Sequence, residues 1–267
     1  MTEAIKHHPV QTSAALSVDE EDPFFFDHPL DHVPAMLLLD TCLHSAVRSA
    51  ADGVRVRSAR FRFRKFCEKD LPTAVTVSSA GVNPLSHEVS VTQNDIVVCD
   101  GEITLVPGDE MSWPLLRADA RRADKHLVHK LVDDRVLVGP IQRHDDGHTV
   151  AVGGPVVRAG RPGLHPVSPL VEAARQAGIM TLHEVSEVPL GWQFVVTRLQ
   201  VDLVAGGERR GATTLRYGTW RLSGQVFVLP AEIVAGGRVV GTISFSGRVM
   251  PLSDYHQLRP EAIGANR

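Results

Sequence analysis

Two proline-bounded stretches of the chain concentrate residues able to move protons. The first, FFFDHPLDHVPAMLLLD, runs from Phe24 to Asp40 and carries Asp27, His28, Asp31, His32 and, at its apolar end, Asp40. The second begins at HPVSPLVEAARQ and places His165 seven residues before Glu172, with Arg175 and Gln176 following. A neutral imidazole at the mouth of an apolar segment can serve as general base. A carboxylate inside such a segment is costly unless it is hydrogen-bonded, paired or protonated. On a helix, Glu172 and Gln176 share a face at i,i+4 spacing and Arg175 lies at i+3. Arg175 can therefore neutralise Glu172 or hold a phosphate with its two-pronged head.

These groups need elements to hold them. Met36 to Ala51 is apolar on more than one helical face, so the spacing predicts a helix wrapped by other structure. Pro34 suits its first turn and Asp52-Gly53 its end. VRVRSARFRFRKF then alternates with period two, sending Val54, Val56, Phe61 and Phe63 inward, with a slip near Ser58-Ala59 that predicts a bulge. Arg55, Arg57, Arg60, Arg62, Arg64 and Lys65 are left on a solvated face, which could dock an acidic carrier protein. TAVTVSS, HEVSVTQ and DIVVCDGEITLV read as strands, the last with a hairpin turn at Asp100-Gly101.

The second half repeats the order. LVEAARQAGIMTLHEV is helical, VPLGWQF turns, and QFVVTRLQVDLV, TTLRYGTWRL and GQVFVLPAEIVAGGRVVGTISFSGRVM supply strands. His28 and His165 lie 137 positions apart, Asp40 and Glu172 132, so the period nearly halves the chain. The expected fold is α+β, a tandem (double) hotdog with two long buried helices, each wrapped by an antiparallel sheet. The expected segments are a flexible N-terminal tail (1–22), a first repeat (23–110), a connector (111–127), a second repeat (128–252) opening on a strand around Val128 to Val138, and a C-terminal tail (253–267).

FFFDHPLDHVPAMLLLD resembles the signature of the A-factor biosynthesis (AfsA-type) hotdog family, the γ-butyrolactone synthases. HPVSPLVEAARQAGIMTLHEVSEVPLGWQF resembles that family's other repeat, including Glu172, Arg175, Gln176 and the VPLGWQF turn. The likeness covers roughly residues 23 to 250, with the repeats in swapped order; the first helix departs by ending on Asp40 with no Arg-Gln after it. A more distant likeness is to hydroxyacyl-carrier-protein dehydratases, in which a histidine of one subunit meets a carboxylate on its partner's helix. Carried over, His28 faces Glu172, the pair expected to be catalytic, and His165 faces Asp40 in a second, vestigial site.

The resemblance implies transfer of a β-ketoacyl group from an acyl-carrier or CoA thioester to dihydroxyacetone phosphate. The backbone N–H groups of Ala35 and Met36, at a helix N-terminus, would hold the thioester oxygen, and Arg175 and Gln176 would bind substrate. The alternatives are a dehydratase or thioesterase acting on acyl-carrier thioesters, and a non-catalytic acyl-binding or partner subunit.

Composition excludes other classes. A net charge of −3 gives no polyanion-binding signature, and no apolar run reaches the length of a membrane span. The three cysteines, Cys42, Cys67 and Cys99, form no C-x-x-C and read as reduced thiols. The N-terminal residues lack the apolar core of a signal peptide, so a cytoplasmic protein is expected, a monomeric pseudo-dimer or a homodimer of it. No cofactor or metal is expected: Pro29 denies His28 and His32 a shared helical face, and RHDDGH (143–148) reads as a solvated loop.

Overall fold

The computed structural model describes residues 11–27, 30–50, 52–79, 85–108, 121–153, 163–204, 212–220 and 222–264, with side chains through 259. Its strands are β1 (Gln11–Ala15), β2 (Val54–Phe63), β3 (Thr73–Ser79), β4 (Ser86–Gln93), β5 (Ile96–Pro107), β6 (Val138–His144), β7 (Gly147–Val152), β8 (Gln193–Leu203), β9 (Thr213–Gly218), β10 (Val226–Ala235) and β11 (Arg238–Met250). Helices α1 (Ala35–Ser49), α2 (Ser168–Ser186) and α3 (Leu252–Gly264) complete it.

All eleven strands form one sheet, ordered β1-β3-β4-β5-β2-β8-β11-β10-β9-β7-β6. The order β3-β4-β5-β2 in the first half is mirrored by β8-β11-β10-β9 in the second. Each half is therefore a helix followed by four antiparallel strands, and the halves join where β2 pairs with β8 between Ser58↔Asp202 and Arg62↔Arg198. This is the tandem hotdog that the repeated pattern predicts. The core lies between the sheet and its helices: Leu39, Cys42, Leu43 and Ala46 of α1, and Val171, Ala174, Ala177 and Met180 of α2, are almost fully buried against Phe61, Ile103, Val201 and Ile243. Burial on more than one face of each helix accounts for their near-continuous apolar sequence.

Strand parity holds where one face is buried. Val54, Val56 and Phe61 point inward and the register slips between Val56 and Ser58, next to the expected bulge. Other expectations need correcting. Residues 1–22 are not wholly a tail, because Gln11–Ala15 extends the sheet along β3. Residues 253–267 are not a tail either, since α3 occupies most of them. The strand expected around Val128 to Val138 begins only at Val138: the 3-10 turns Lys125–Val128 and Asp133–Arg135 precede it, and the second-half counterpart of β1 is β7, paired to β9.

The hairpin turn is also displaced. Asn94 and Asp95, with φ of 48° and 62°, form the β4–β5 turn, and Asp100-Gly101 lies inside β5. Left-handed φ at two consecutive residues is what a two-residue hairpin with the sheet's twist requires. Gly101 serves another purpose: a Cβ there would run into the Arg60 carbonyl oxygen of β2. Gly101→Ala is expected to cost about 1–3 kcal/mol through backbone displacement, read as a lower urea midpoint with the slope unchanged. On the outer face, Arg62 and Arg64 pair with Asp100, and Arg60 with Asp202. Arg55 is buried. Two carboxylates, Asp100 and Asp202, thus engage three of the six cations of the row.

Candidate active site

Glu172 sits one turn inside α2 and is 2% exposed. Arg175 donates to both its oxygens, Nε to Oε2 at 2.7 Å and Nη2 to Oε1 at 2.8 Å. Lys130 Nζ approaches Oε1 at 3.1 Å, and Gln176 Nε2 donates to the same oxygen at 3.0 Å. Burial alone would favour the neutral acid, but Arg175, Lys130 and these hydrogen bonds prevail and bring the carboxyl down to about 2. Glu172 is therefore a fixed anion at neutral pH, with no proton to give.

Gln176, fully buried, uses the rest of its amide on backbone: Oε1 accepts from Leu137 N at 2.7 Å and Nε2 donates to the Arg135 carbonyl at 2.9 Å. It thereby holds the Arg135–Leu137 segment against α2. The first half reaches the same place through Asp27. This buried carboxylate accepts from Leu131 N at 2.6 Å and from Arg135 Nη1 at 2.7 Å, and its charge is felt at Arg175. The chain is thus delivered to Glu172's surroundings at the residue just before His28. His28 itself lies outside the described residues.

The pseudo-symmetric position behaves differently. Asp40, on α1, is buried, and its Oδ1 accepts from His165 N at 2.9 Å and Ser168 Oγ at 2.6 Å. His165 Nδ1 accepts from Val167 N at 3.2 Å. His44, one turn beyond Asp40, places Nε2 3.6 Å from Asp40 Oδ2 and meets the His165 ring edge-on at 5.3 Å. The segment carrying His165 therefore does close over Asp40. Ser168 also stands one turn before Glu172 on α2, so the helix carries a contact to Asp40 and the Glu172 carboxylate on successive turns.

Ala35 and Met36 open α1 behind Pro34, and the segment before them is fixed from an unexpected quarter. Arg259 of α3, 6% exposed, binds Asp31 Oδ2 at 2.9 Å, the Asp31 carbonyl at 2.7 Å and Glu68 at 2.8 Å, and lies over the Phe66 ring. Tyr255 donates to Asp31 at 3.0 Å. The His32 ring, 2.6 Å away, is the chief reason Asp31 stays well below the usual carboxylate range. Asp31 and His32 thus anchor the approach to α1. Arg259→Ala is expected to loosen α3 by about 1.5–3 kcal/mol, the usual worth of a charged hydrogen bond, read as faster amide exchange across Leu252–Gly264.

Sequence reasoning missed Lys130, Arg135, Asp27's role, His44, Ser168 and α3. Two faint signals existed: His44 and Ser168 each lie four positions from a singled-out carboxylate. Other histidines are structural: His148 bonds Thr181 at 2.8 Å and stacks on Tyr217, and His183 donates to the Val188 carbonyl at 2.7 Å. Burial takes His148 down to about 4.

No helix among the described residues is long and apolar enough to cross a membrane. A relative from Streptomyces virginiae, a 2-oxo-3-(phosphooxy)propyl 3-oxoalkanoate synthase, is 40% identical over 60 residues, 21% of this chain and 20% of that protein. The chain thus matches about a fifth of that relative's length. A polyketide synthase dehydratase domain from Brevibacillus brevis superposes with a TM-score of 0.57 at 13% identity, over 91% of this chain and 94% of that one. Acyl-CoA thioesterase II TesB2 from Mycobacterium marinum gives 0.52 at 14% identity, over 82% and 90%. These two likenesses establish the shared fold. The A-factor biosynthesis hotdog family model matches residues 4–108 and 112–251, nearly the whole length, and the chain belongs to that family.

Proposed function

We propose that this protein transfers a 3-oxoacyl group from an acyl-carrier or CoA thioester to a hydroxyl of dihydroxyacetone phosphate. The carrying observation is the charge cluster around Glu172. Lys130, Arg135 and Arg175 stand against two carboxylates, Glu172 and Asp27, leaving one excess positive charge in a largely buried setting. Such a site favours a phosphorylated acceptor over a neutral one. The name of the Streptomyces virginiae relative describes an ester of this kind.

In this reading the hydroxyl gives its proton to His28 as its oxygen attacks the thioester carbonyl. The N–H groups of Ala35 and Met36 hold the resulting oxyanion. When the tetrahedral intermediate collapses, the C–S bond breaks and the thiolate takes the proton back from the His28 imidazolium. Glu172 carries no proton in this scheme. It holds Lys130 and Arg175 in place, while Gln176 keeps the Arg135–Leu137 wall in position. The sister cell of His165 and Asp40 takes no part in transfer.

The fold shared with a dehydratase domain and a thioesterase favours, as second reading, dehydration or hydrolysis of the thioester. Incubating the protein with a 3-oxoacyl carrier thioester, with and without dihydroxyacetone phosphate, separates the readings by mass spectrometry. The phosphorylated ester should form only in the complete mixture. Turnover of the 3-oxoacyl thioester to free acid without the acceptor, or of a 3-hydroxyacyl thioester to enoyl product and water in a parallel mixture, would replace the first reading by the second. Binding of the thioesters with no consumption in any of the mixtures would reject both.

A further inference from the structure

Lys130 reaches Glu172 from a stretch of chain that is also fastened near the far end of α2. The residue before it, His129, closes the 3-10 turn Lys125–Val128 in the left-handed region, at φ 54°. Outside glycine that conformation is uncommon and persists where the surroundings hold it. Among the contacts holding it, Lys130 N donates to the Lys125 carbonyl at 2.8 Å, and His129 Nε2 lies 3.0 Å from His183 Nε2. Phe194 meets both rings edge-on, at 5.1 and 5.3 Å. Glu172 and His183 are eleven residues apart on α2, about 16 Å along its axis. Lys130 Nζ approaches the first at 3.1 Å while its neighbour's ring meets the second. On the other flank, Leu131 N donates to Asp27 at 2.6 Å. The backbone of the buried lysine is thus fixed from both sides.

The proton arrangement of the histidine pair follows from distances. His183 Nδ1 lies 2.7 Å from the Val188 carbonyl oxygen, which only accepts, so Nδ1 carries the hydrogen. A neutral His183 then has its lone pair at Nε2, and His129 donates to it through Nε2–H. One added proton is accommodated, because a single hydrogen still lies between the two Nε2 atoms. A second is not: both atoms would carry N–H and point at each other. Burial takes His183 below the ordinary 6.5, against the opposing Val188 bond, so the contact holds at neutral pH. Glu184 and Glu187 stand at the same end of α2. The elements packed about the ring bring Lys125 and His126 of the turn, Arg143 of β6, His148 of β7, Arg198 of β8 and Arg248 of β11. None of these bonds to His183 among the described residues, whose hydrogen bonds are those to His129 and Val188.

We infer that His129 is a positioning residue for Lys130: held by His183, it sets where the ammonium stands beside Glu172, and so how tightly the site binds the phosphate of the acceptor. The phosphate rests on the acyl-transfer reading above; the placing of Lys130 does not.

Lysine-selective labelling with NMR detection, alongside steady-state kinetics, tests the two parts separately. His129→Gly keeps the left-handed turn at no steric cost but removes the ring. It should stay folded, move or broaden the Lys130 ammonium signal, and raise KM for dihydroxyacetone phosphate about tenfold with kcat nearly unchanged, as loosening one charged hydrogen bond would. His183→Phe should do the same from the other side. His183→Gln, which offers His129 an uncharged acceptor, should recover most of the loss. As pH falls below 6.5, the wild-type KM should climb further than that of His183→Gln, because only the wild-type pair becomes doubly charged while the acceptor phosphate titrates alike in both. A Lys130 signal unmoved in His129→Gly, an unchanged KM in the folded variants, or identical pH profiles would overturn the inference. If His183→Phe fails to fold, His129→Gly and the pH comparison still decide. A displaced Lys130 signal in His129→Gly, with no ester formed by the wild type, would reject the transferase reading alone.

Discussion

Glu172→Ala is expected to destabilise the protein by about 3–5 kcal/mol, because it strands the buried ammonium of Lys130 beside a half-buried guanidinium. Removing one partner of a buried pair costs more than removing both. Lys130→Met combined with Glu172→Leu should therefore recover much of the loss, and chemical denaturation of the three forms checks this. The same carboxylate sets an acid limit. Its folded value of about 2 lies below the ordinary 4.5, so the folded state binds this proton less readily than the unfolded one. The resulting stabilisation, about 3 kcal/mol, is fully present above pH ~4.5 and is lost as pH falls through ~2. The stability gap between wild type and Glu172→Gln should accordingly narrow from pH 5 towards pH 2. A gap independent of pH across that range would contradict the assignment of Glu172 as a buried anion.

His28→Ala should leave the fold unchanged and lower kcat for ester formation by about 10²–10⁴, the span of a general base. KM for the thioester should move little, since the imidazole acts on the acceptor hydroxyl. Steady-state kinetics with circular dichroism of the variant provide the check. Wild-type turnover in His28→Ala would remove the base from the scheme. The position of Asp27, bound to Leu131 and Arg135 beside Glu172, is the structural reason to expect the effect at the α2 cell rather than at Asp40.

Much of this architecture is legible in the residues because burial imposes period and parity. β3 coincides with TAVTVSS, and the near-continuous apolar runs of α1 and α2 announce helices enclosed on several sides. Elements stabilised by polar contacts are another matter. Lys125 to Arg135 has no period, since its turns are shaped by Asp124 capping His126 N and by a left-handed His129. Lys130 is therefore indistinguishable from a surface lysine until its neighbours are placed. α3 presents no apolar stripe and is fastened by Tyr255 and Arg259 to carboxylates far away in the chain. Asp100-Gly101 and Asn94-Asp95 both carry turn-forming residues. Which one turns is decided by the partner strand: Arg62 and Arg64 bind Asp100, and the close approach of β2 requires Gly101.

The seam at which β2 hydrogen-bonds to β8 has an evolutionary consequence. When identical subunits associate, any substitution appears in both clefts at once, so a change useful in one must be tolerated in the other. A single polypeptide carrying both halves escapes that coupling. One cell could gather lysine and arginine while its twin held imidazole, carboxylate and hydroxyl, the two joined by one continuous backbone ladder.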